Sequence, residues 1–153
     1  MDNIKTVSFG CDHGGYPYKE AVIKHLQEMG YEVLDCGTYS KESCNYPEPA
    51  FKAATAVAEG KAQAGVLVCT SGEGVSICAN KVKGVICGIG YNDSVSHLLV
   101  THNHANMIAF GGAYMPLEDV LRRIDIFFAS TPHEGRHQRR VEMIEEYEKE
   151  HGK

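Results

Sequence analysis

The chain has 153 residues, the length of one compact domain, and its 15 lysines and arginines against 20 aspartates and glutamates leave a formal charge of −5. That mild acidity argues against a nucleic-acid binder, which needs a basic face, and 43% hydrophobic residues with 23% charged excludes a disordered chain. No apolar run approaches the ~20 residues of a membrane span and no basic-then-apolar leader opens the sequence, so the expectation is one cytoplasmic domain over residues 1–153, with neither membrane nor nucleic acid as partner. Six cysteines without a CxxC pair read as free thiols.

A β-type run over Thr6 to Phe9 gives way to Gly10-Cys11-Asp12-His13-Gly14-Gly15, a stretch too glycine-rich to continue a strand. Tyr18, Ala21, Val22 and Leu26 then recur at helical spacing, with Pro17 suited to the first turn and Gly30 to the C-terminal cap. Glu32 to Asp35 reads as a second strand, Gly37 to Tyr46 as a polar loop, and Pro47 and Pro49 open a helix that runs to about Glu59. Ala64 to Val68 is a continuous apolar strand ending at Cys69. After Thr70-Ser71-Gly72-Glu73-Gly74 come a short helix to about Lys81, a strand near Val85 to Ile89, and a helix over about Asp93 to Thr101.

Met107 to Phe110 is the fifth strand. Leu117, Val120, Leu121, Ile124, Phe127 and Phe128 follow at offsets 0, 3, 4, 7, 10 and 11, the stripe of an amphipathic helix. From Gln138 to about Lys149 a narrow stripe of Val141, Ile144 and Tyr147 survives among charges, which predicts a helix that docks on a partner surface. Strands alternating with helices specify a Rossmann-like, doubly wound α/β fold: a five-stranded parallel sheet, helices on both faces and a C-terminal docking helix.

In such sheets ligands bind beyond the C-terminal strand ends. The loops to watch carry Asp12 and His13, Cys69 to Gly74, and Gly111 to Ala113, with His102 and Asn103 just before the fifth strand. The Cys69 loop suits an anion or enediolate, because glycines admit close backbone approach and the following helix presents free N–H groups. It is neither a Walker loop nor GxGxxG, and Val75 stands where a cysteine phosphatase needs its arginine. Cys69 sits where the helix dipole favours a thiolate, with a small buried residue as the alternative. His102 is a candidate general acid/base. Asp12 and His13 fit a turn equally well. His102 with His104, and His133 with His137, have spacings compatible with zinc, but the cysteines complete no recognised ligand set. Arg136 and Arg140 share a helical face and can grip one phosphate, or they are part of a solubilising turn paired with Glu142, Glu145 and Glu146.

Taken together, Gly10 to Gly15, Asp35-Cys36-Gly37-Thr38, Tyr46-Pro47, Cys69 with its glycine loop, Ala79-Asn80-Lys81-Val82, His102-Asn103 and Gly135-Arg136-His137-Gln138-x-Arg140 resemble the type B ribose-5-phosphate isomerase family, which includes galactose-6-phosphate and allose-6-phosphate isomerases. The likeness runs from about Lys5 to Glu148. It implies an aldose–ketose isomerase acting through an enediolate, most simply on ribose 5-phosphate and ribulose 5-phosphate, with a 6-phosphohexose isomerase or a non-catalytic phosphosugar-binding module as alternatives. Cys69 would be the base, N–H groups from Thr70, Ser71, Gly72, Glu73 and Gly74 would hold the oxygen, and His102 with Asp12 would open the sugar ring. His13, Arg136 and Arg140 would bind phosphate, with Asn103 and Tyr46 on the sugar. The resemblance also implies a site built between two subunits, hence a homodimer with tetramers left open, and no metal or organic cofactor. Three departures stand out: Thr70 where the family has glycine after the cysteine, a carboxylate at Glu73, and Ala113 in place of a phosphate-binding arginine.

Overall fold

The computed structural model describes residues 1–152. In chain order the elements are β1 (Thr6–Cys11), α1 (Tyr16–Glu28), β2 (Glu32–Asp35), α2 (Pro47–Ala58), β3 (Ala64–Cys69), α3 (Glu73–Asn80), β4 (Cys87–Ile89), α4 (Asp93–Thr101), β5 (Met107–Gly111), α5 (Leu117–Ala129) and α6 (Arg136–His151). Every strand pair is parallel and the strand order is β2-β1-β3-β5-β4. No described helix is long and apolar enough to cross a membrane.

The sheet is covered on both sides. Val22 and Leu26 of α1, Val100 of α4, and Val120, Ile124, Phe127 and Phe128 of α5 pack with Val7, Phe9, Val66, Val68, Ile108 and Phe110 on one face. Ala50, Ala53, Ala54 and Val57 of α2, with Val75, Cys78 and Ala79 of α3, cover Leu67, Met107 and Ala109 on the other. The inner strands are buried on both faces, which is why β3 reads as an unbroken apolar run rather than an alternating one.

The chain leaves β1 toward α1 and β2 on one side and reaches β3 on the other, so the loops after β1 and β3 part at a topological switch point. The crevice between them is the expected ligand position.

Two sequence expectations need correction. β1 does not stop at Phe9 but runs on through Gly10 and Cys11, which pair with Leu67 and Val68. Glycine is required there by packing: a Cβ on Gly10 would lie 2.8 Å from the Pro49 carbonyl of α2. The final helix starts at Arg136, two residues before Gln138, and its stripe is not uniformly covered. Val141 is buried, whereas Met143, Ile144 and Tyr147 remain open to solvent.

Candidate active site

Three loops meet over the C-terminal strand ends, and their glycines explain how closely they come. A Cβ on Gly14 would fall on the Thr70 side chain, one on Gly111 would strike the Ser71 carbonyl at 2.4 Å, and one on Gly74 would enter the Tyr46 ring at 2.6 Å. Gly112 N–H donates to the Cys69 carbonyl at 2.8 Å and Ala113 N–H to that of Thr70 at 3.1 Å, tying the β5 loop to the β3 loop. Asp12, His13, Tyr46 and the Cys69–Gly74 segment therefore surround one crevice.

Cys69 lies at the mouth of β3 and is 5% exposed. Gly72 N–H donates to its Sγ at 3.1 Å. Gly72, the N-cap of α3, holds φ +85°, a left-handed conformation that glycine adopts without a Cβ penalty. In the first turn of α3 the Glu73 N–H donates to Ser71 Oγ at 3.2 Å and the Ser76 N–H to the Gly72 carbonyl at 3.2 Å. Glu73 is exposed.

Asp12 is buried and its carboxylate accepts from Gly15 N–H at 3.0 Å. His13 Nδ1 accepts from Cys44 N–H at 3.2 Å, so its proton is on Nε2, free to donate to an anion. The Asp35-Cys36-Gly37-Thr38 segment clasps the end of β1 through Cys11 N–H to Gly37 O at 2.7 Å and Thr38 N–H to Cys11 O at 2.6 Å. Lys19 completes this clasp, bonding Asp35 at 2.9 Å and the Thr38 carbonyl at 2.6 Å beneath the Tyr39 ring. Its place on the half-buried face of α1 was the only sequence signal for Lys19, and sequence reasoning passed over it.

Four of the other thiols are poorly suited to chemistry. Burial pushes Cys11 and Cys87 up to about 12. It also raises Cys36, with Asp35 adding to the effect, and Cys78, with neighbouring Cys69 adding.

The remaining site candidates lie elsewhere. β5 runs parallel to β3 with Met107 opposite Gly65 and Gly111 opposite Cys69. His102 and Asn103 end α4 before β5 begins. They therefore sit beyond the opposite, N-terminal ends of the strands, about 13 Å or more from Cys69 by the rise of four strand residues. Arg136 and Arg140 accompany them, because His137 at the start of α6 stacks on His102 with ring centroids 3.9 Å apart. Within one chain, then, His102 is not beside Asp12, and the arginines are not beside His13. The expected ion pairing of the basic turn falls instead on Arg139, which reaches Glu146 at 2.8 Å and Glu142 at 3.8 Å. Among the described residues Arg136 and Arg140 have no carboxylate partner, and both are exposed. The structure thus holds two separate groups at opposite ends of the strands: a thiol beside the Gly72 N–H, and an imidazole near two guanidiniums that have no carboxylate partner among the described residues.

A groove of about 670 Å³ lined by Tyr16, Lys19, Lys24 and Lys41 runs along α1. It does not include Cys69.

Comparison with known proteins identifies the family. The profile of a family described as Ribose/Galactose Isomerase matches residues 7–144. Ribose-5-phosphate isomerase B of Escherichia coli (strain K12) is 40% identical over 144 residues, covering 92% of this chain and 95% of that protein. The solved ribose-5-phosphate isomerase B of Clostridium thermocellum superposes with a TM-score of 0.92 at 37% identity, covering 95% of this chain and 98% of that one. The enzyme from Mycoplasma genitalium, solved with bound ribulose-5-phosphate, gives 0.91 at 31% identity over 95% and 97% of the two chains. Family match, full-length relatives and shared architecture lead to one conclusion: this chain belongs to the ribose/galactose isomerase family.

Proposed function

We propose that this protein is an aldose–ketose isomerase that interconverts ribose 5-phosphate and ribulose 5-phosphate, with a catalytic site shared between two copies of the chain. The observation that carries this reading is Cys69 Sγ held at the end of β3 by the Gly72 N–H, facing the first turn of α3. The Cys69 thiolate takes the proton from C2 of the open-chain aldose, the C–H electron pair forms the C1–C2 double bond, and the carbonyl oxygen at C1 becomes the enediolate oxygen. N–H groups between Thr70 and Gly74 bind that oxygen where charge develops, as preorganised donors do in acyl-transfer sites. Returning the proton to C1 while the proton of the C2 hydroxyl passes to the oxygen on C1 leaves the ketose.

The second half-site supplies what the first lacks. Two copies related by a two-fold axis, each laying its α4–α6 edge over its partner's crevice, make two complete sites. His102, joined across the seam by the partner's Asp12, opens the sugar ring by general acid/base transfer, and Asn103 binds its hydroxyls. Arg136 and Arg140 reach the phosphate with His13 opposite, and Tyr46 closes over the sugar beside Gly74. The uncovered Met143, Ile144 and Tyr147 on α6 supply the apolar part of the contact. A phosphorylated sugar does not cross membranes unaided, so the proposed setting is the cytoplasm, in pentose phosphate metabolism.

Ala113 favours keeping one other substrate in view. It is exposed beside the Cys69 loop, and a small side chain there leaves room that a longer 6-phosphohexose can use. Proton NMR in D2O with ribose 5-phosphate, allose 6-phosphate and galactose 6-phosphate in parallel tests the reading. Deuterium at C2 with ketose formation on ribose 5-phosphate, lost in Cys69→Ala, is the expected result. Binding of all three sugars without exchange would replace the isomerase by a phosphosugar-binding module.

A further inference from the structure

His102, His133 and His137 come together at the α4–α6 edge, where each offers one ring nitrogen and all three lie within 4.8 Å of one another. Sequence spacing pairs His102 with His104 and His133 with His137; the fold takes one histidine from the first pair and both from the second. His104 is used differently, its Nε2 bonding the His133 carbonyl at 2.7 Å. His133 N–H donates to the Thr101 carbonyl at 2.9 Å. The His133 backbone is thus fastened on both sides to the end of α4, which fixes its ring beside His102. His102 and His137 stack nearly parallel, 11° between planes, and His133 stands 6.0 and 6.1 Å from their centroids, tilted at 55° to each.

We infer that these three histidines form a binding site for a divalent transition-metal ion, zinc in the first instance, with a fourth coordination position open to water or a substrate oxygen. Three imidazoles and one open position are a donor set zinc accepts, and borderline metals such as nickel and copper share the preference. Tetrahedral coordination at a Zn–N distance of about 2.0–2.1 Å needs nitrogens about 3.3 Å apart. Reaching it requires His137 to turn out of the stack, a rotation open to a half-buried side chain in the first turn of an exposed helix. Arg136 flanks His137 and Arg140 follows one turn on along α6. The same two guanidiniums oppose a bound cation, so the site is suited to reversible occupancy rather than to a permanent structural metal.

Occupancy has a functional consequence that rests on the isomerase reading above. A metal on His102 takes the lone pair needed for ring opening, so zinc inhibits the enzyme by competing for that residue. His133 takes no part in the proposed chemistry, which makes His133→Ala the informative variant.

The test titrates purified full-length protein with cobalt(II), followed by its visible absorption, and with zinc(II), followed by calorimetry, while isomerase turnover is measured on ribose 5-phosphate with and without zinc and after chelation. One metal per chain is expected, with affinity lowered roughly 100-fold or more in His133→Ala, since loss of a ligand should exceed the 10- to 100-fold cost of removing an outer-shell partner. Metal-free activity should match in the two proteins, and zinc inhibition should be reversible by chelator and largely absent in the variant. Equal metal affinity in both proteins, or no binding by either, overturns the site. Equal zinc inhibition of both places the inhibitory metal elsewhere, the Cys69 thiol first, and overturns the consequence. Absent turnover with His133-dependent binding would sink the isomerase reading and leave the metal site standing.

Discussion

Cys69 and Gly72 act as a unit, since the Gly72 N–H donates to the sulfur and the glycine's left-handed backbone leads the chain directly into α3. Cys69→Ala should lower turnover by at least about 10²- to 10⁴-fold, the range a positioned acid/base supplies, with an unchanged circular dichroism spectrum. A variant keeping ordinary activity would remove Cys69 as the base. Gly72→Ala should be worse for the fold and also damage turnover: its Cβ would sit 3.0 Å from the Phe110 carbonyl carbon and 3.1 Å from the Gly111 nitrogen, at φ +85°. Strain of this kind costs about 1–3 kcal/mol, which thermal or urea unfolding can read. Arg136→Ala and Arg140→Ala should each raise KM with little change in kcat, because phosphate binding is shared by substrate and transition state. Each loses a charged hydrogen bond of about 1.5–3 kcal/mol, hence roughly 10- to 150-fold. Unchanged KM in both variants would take the phosphate away from α6.

Most elements were legible because their periodicities are strong. β2, the stripe of α5 and the apolar β3 fall where the pattern puts them. The end of β1 was not legible, since glycine signals a turn locally and only the approach of α2 explains why Gly10 lies within a strand. Capping and cross-element pairing were hidden as well. The tie between α4 and α5 depends on Arg123, buried against the sheet side of α5, which meets Asp93 at 3.1 Å and donates to the Gly90 carbonyl at 3.1 Å. Arg122 adds a second contact to Asp93 at 2.9 Å. These partners, the hydrogen bonds first, hold the Asp93 carboxylate below its ordinary 3.8. A depressed carboxylate contributes stability that is fully present above its unfolded value and is lost as pH falls through the folded one. Asp93→Asn should therefore be less stable than wild type at neutral pH, with the gap closing only below about pH 4. A gap that persists unchanged into stronger acid would show that the charge at Asp93 is irrelevant to the tie.

Across the whole molecule, sequence motifs identified nearly every candidate side chain but could not say which of them one chain brings together. Asp12, His13, Tyr46 and the Cys69 loop meet because the switch point parts two loops over the same strand ends. His102, Asn103, Arg136 and Arg140 meet at the far edge because helices return antiparallel to the strands they follow, a fact that linear spacing conceals. Under the proposed function this separation calls for two copies of the chain, and the open stripe on α6 is where their contact should be tested. Ile144→Asp with Tyr147→Ser should shift the protein toward monomers in analytical ultracentrifugation and lose activity with them. Activity surviving in a monomer would mean that one chain suffices.

Subunit complementation tests the shared site most directly. Cys69→Ala disables one half-site and a His102→Ala/Arg140→Ala double variant the other, and each homodimer should be nearly inactive. In a mixed dimer with differently tagged chains, one site combines both defects and the second combines two intact halves. Purified mixed dimer should therefore recover about half of the wild-type turnover, as two-fold symmetry requires. A mixed dimer no more active than its inactive parents would contradict a site assembled across two chains.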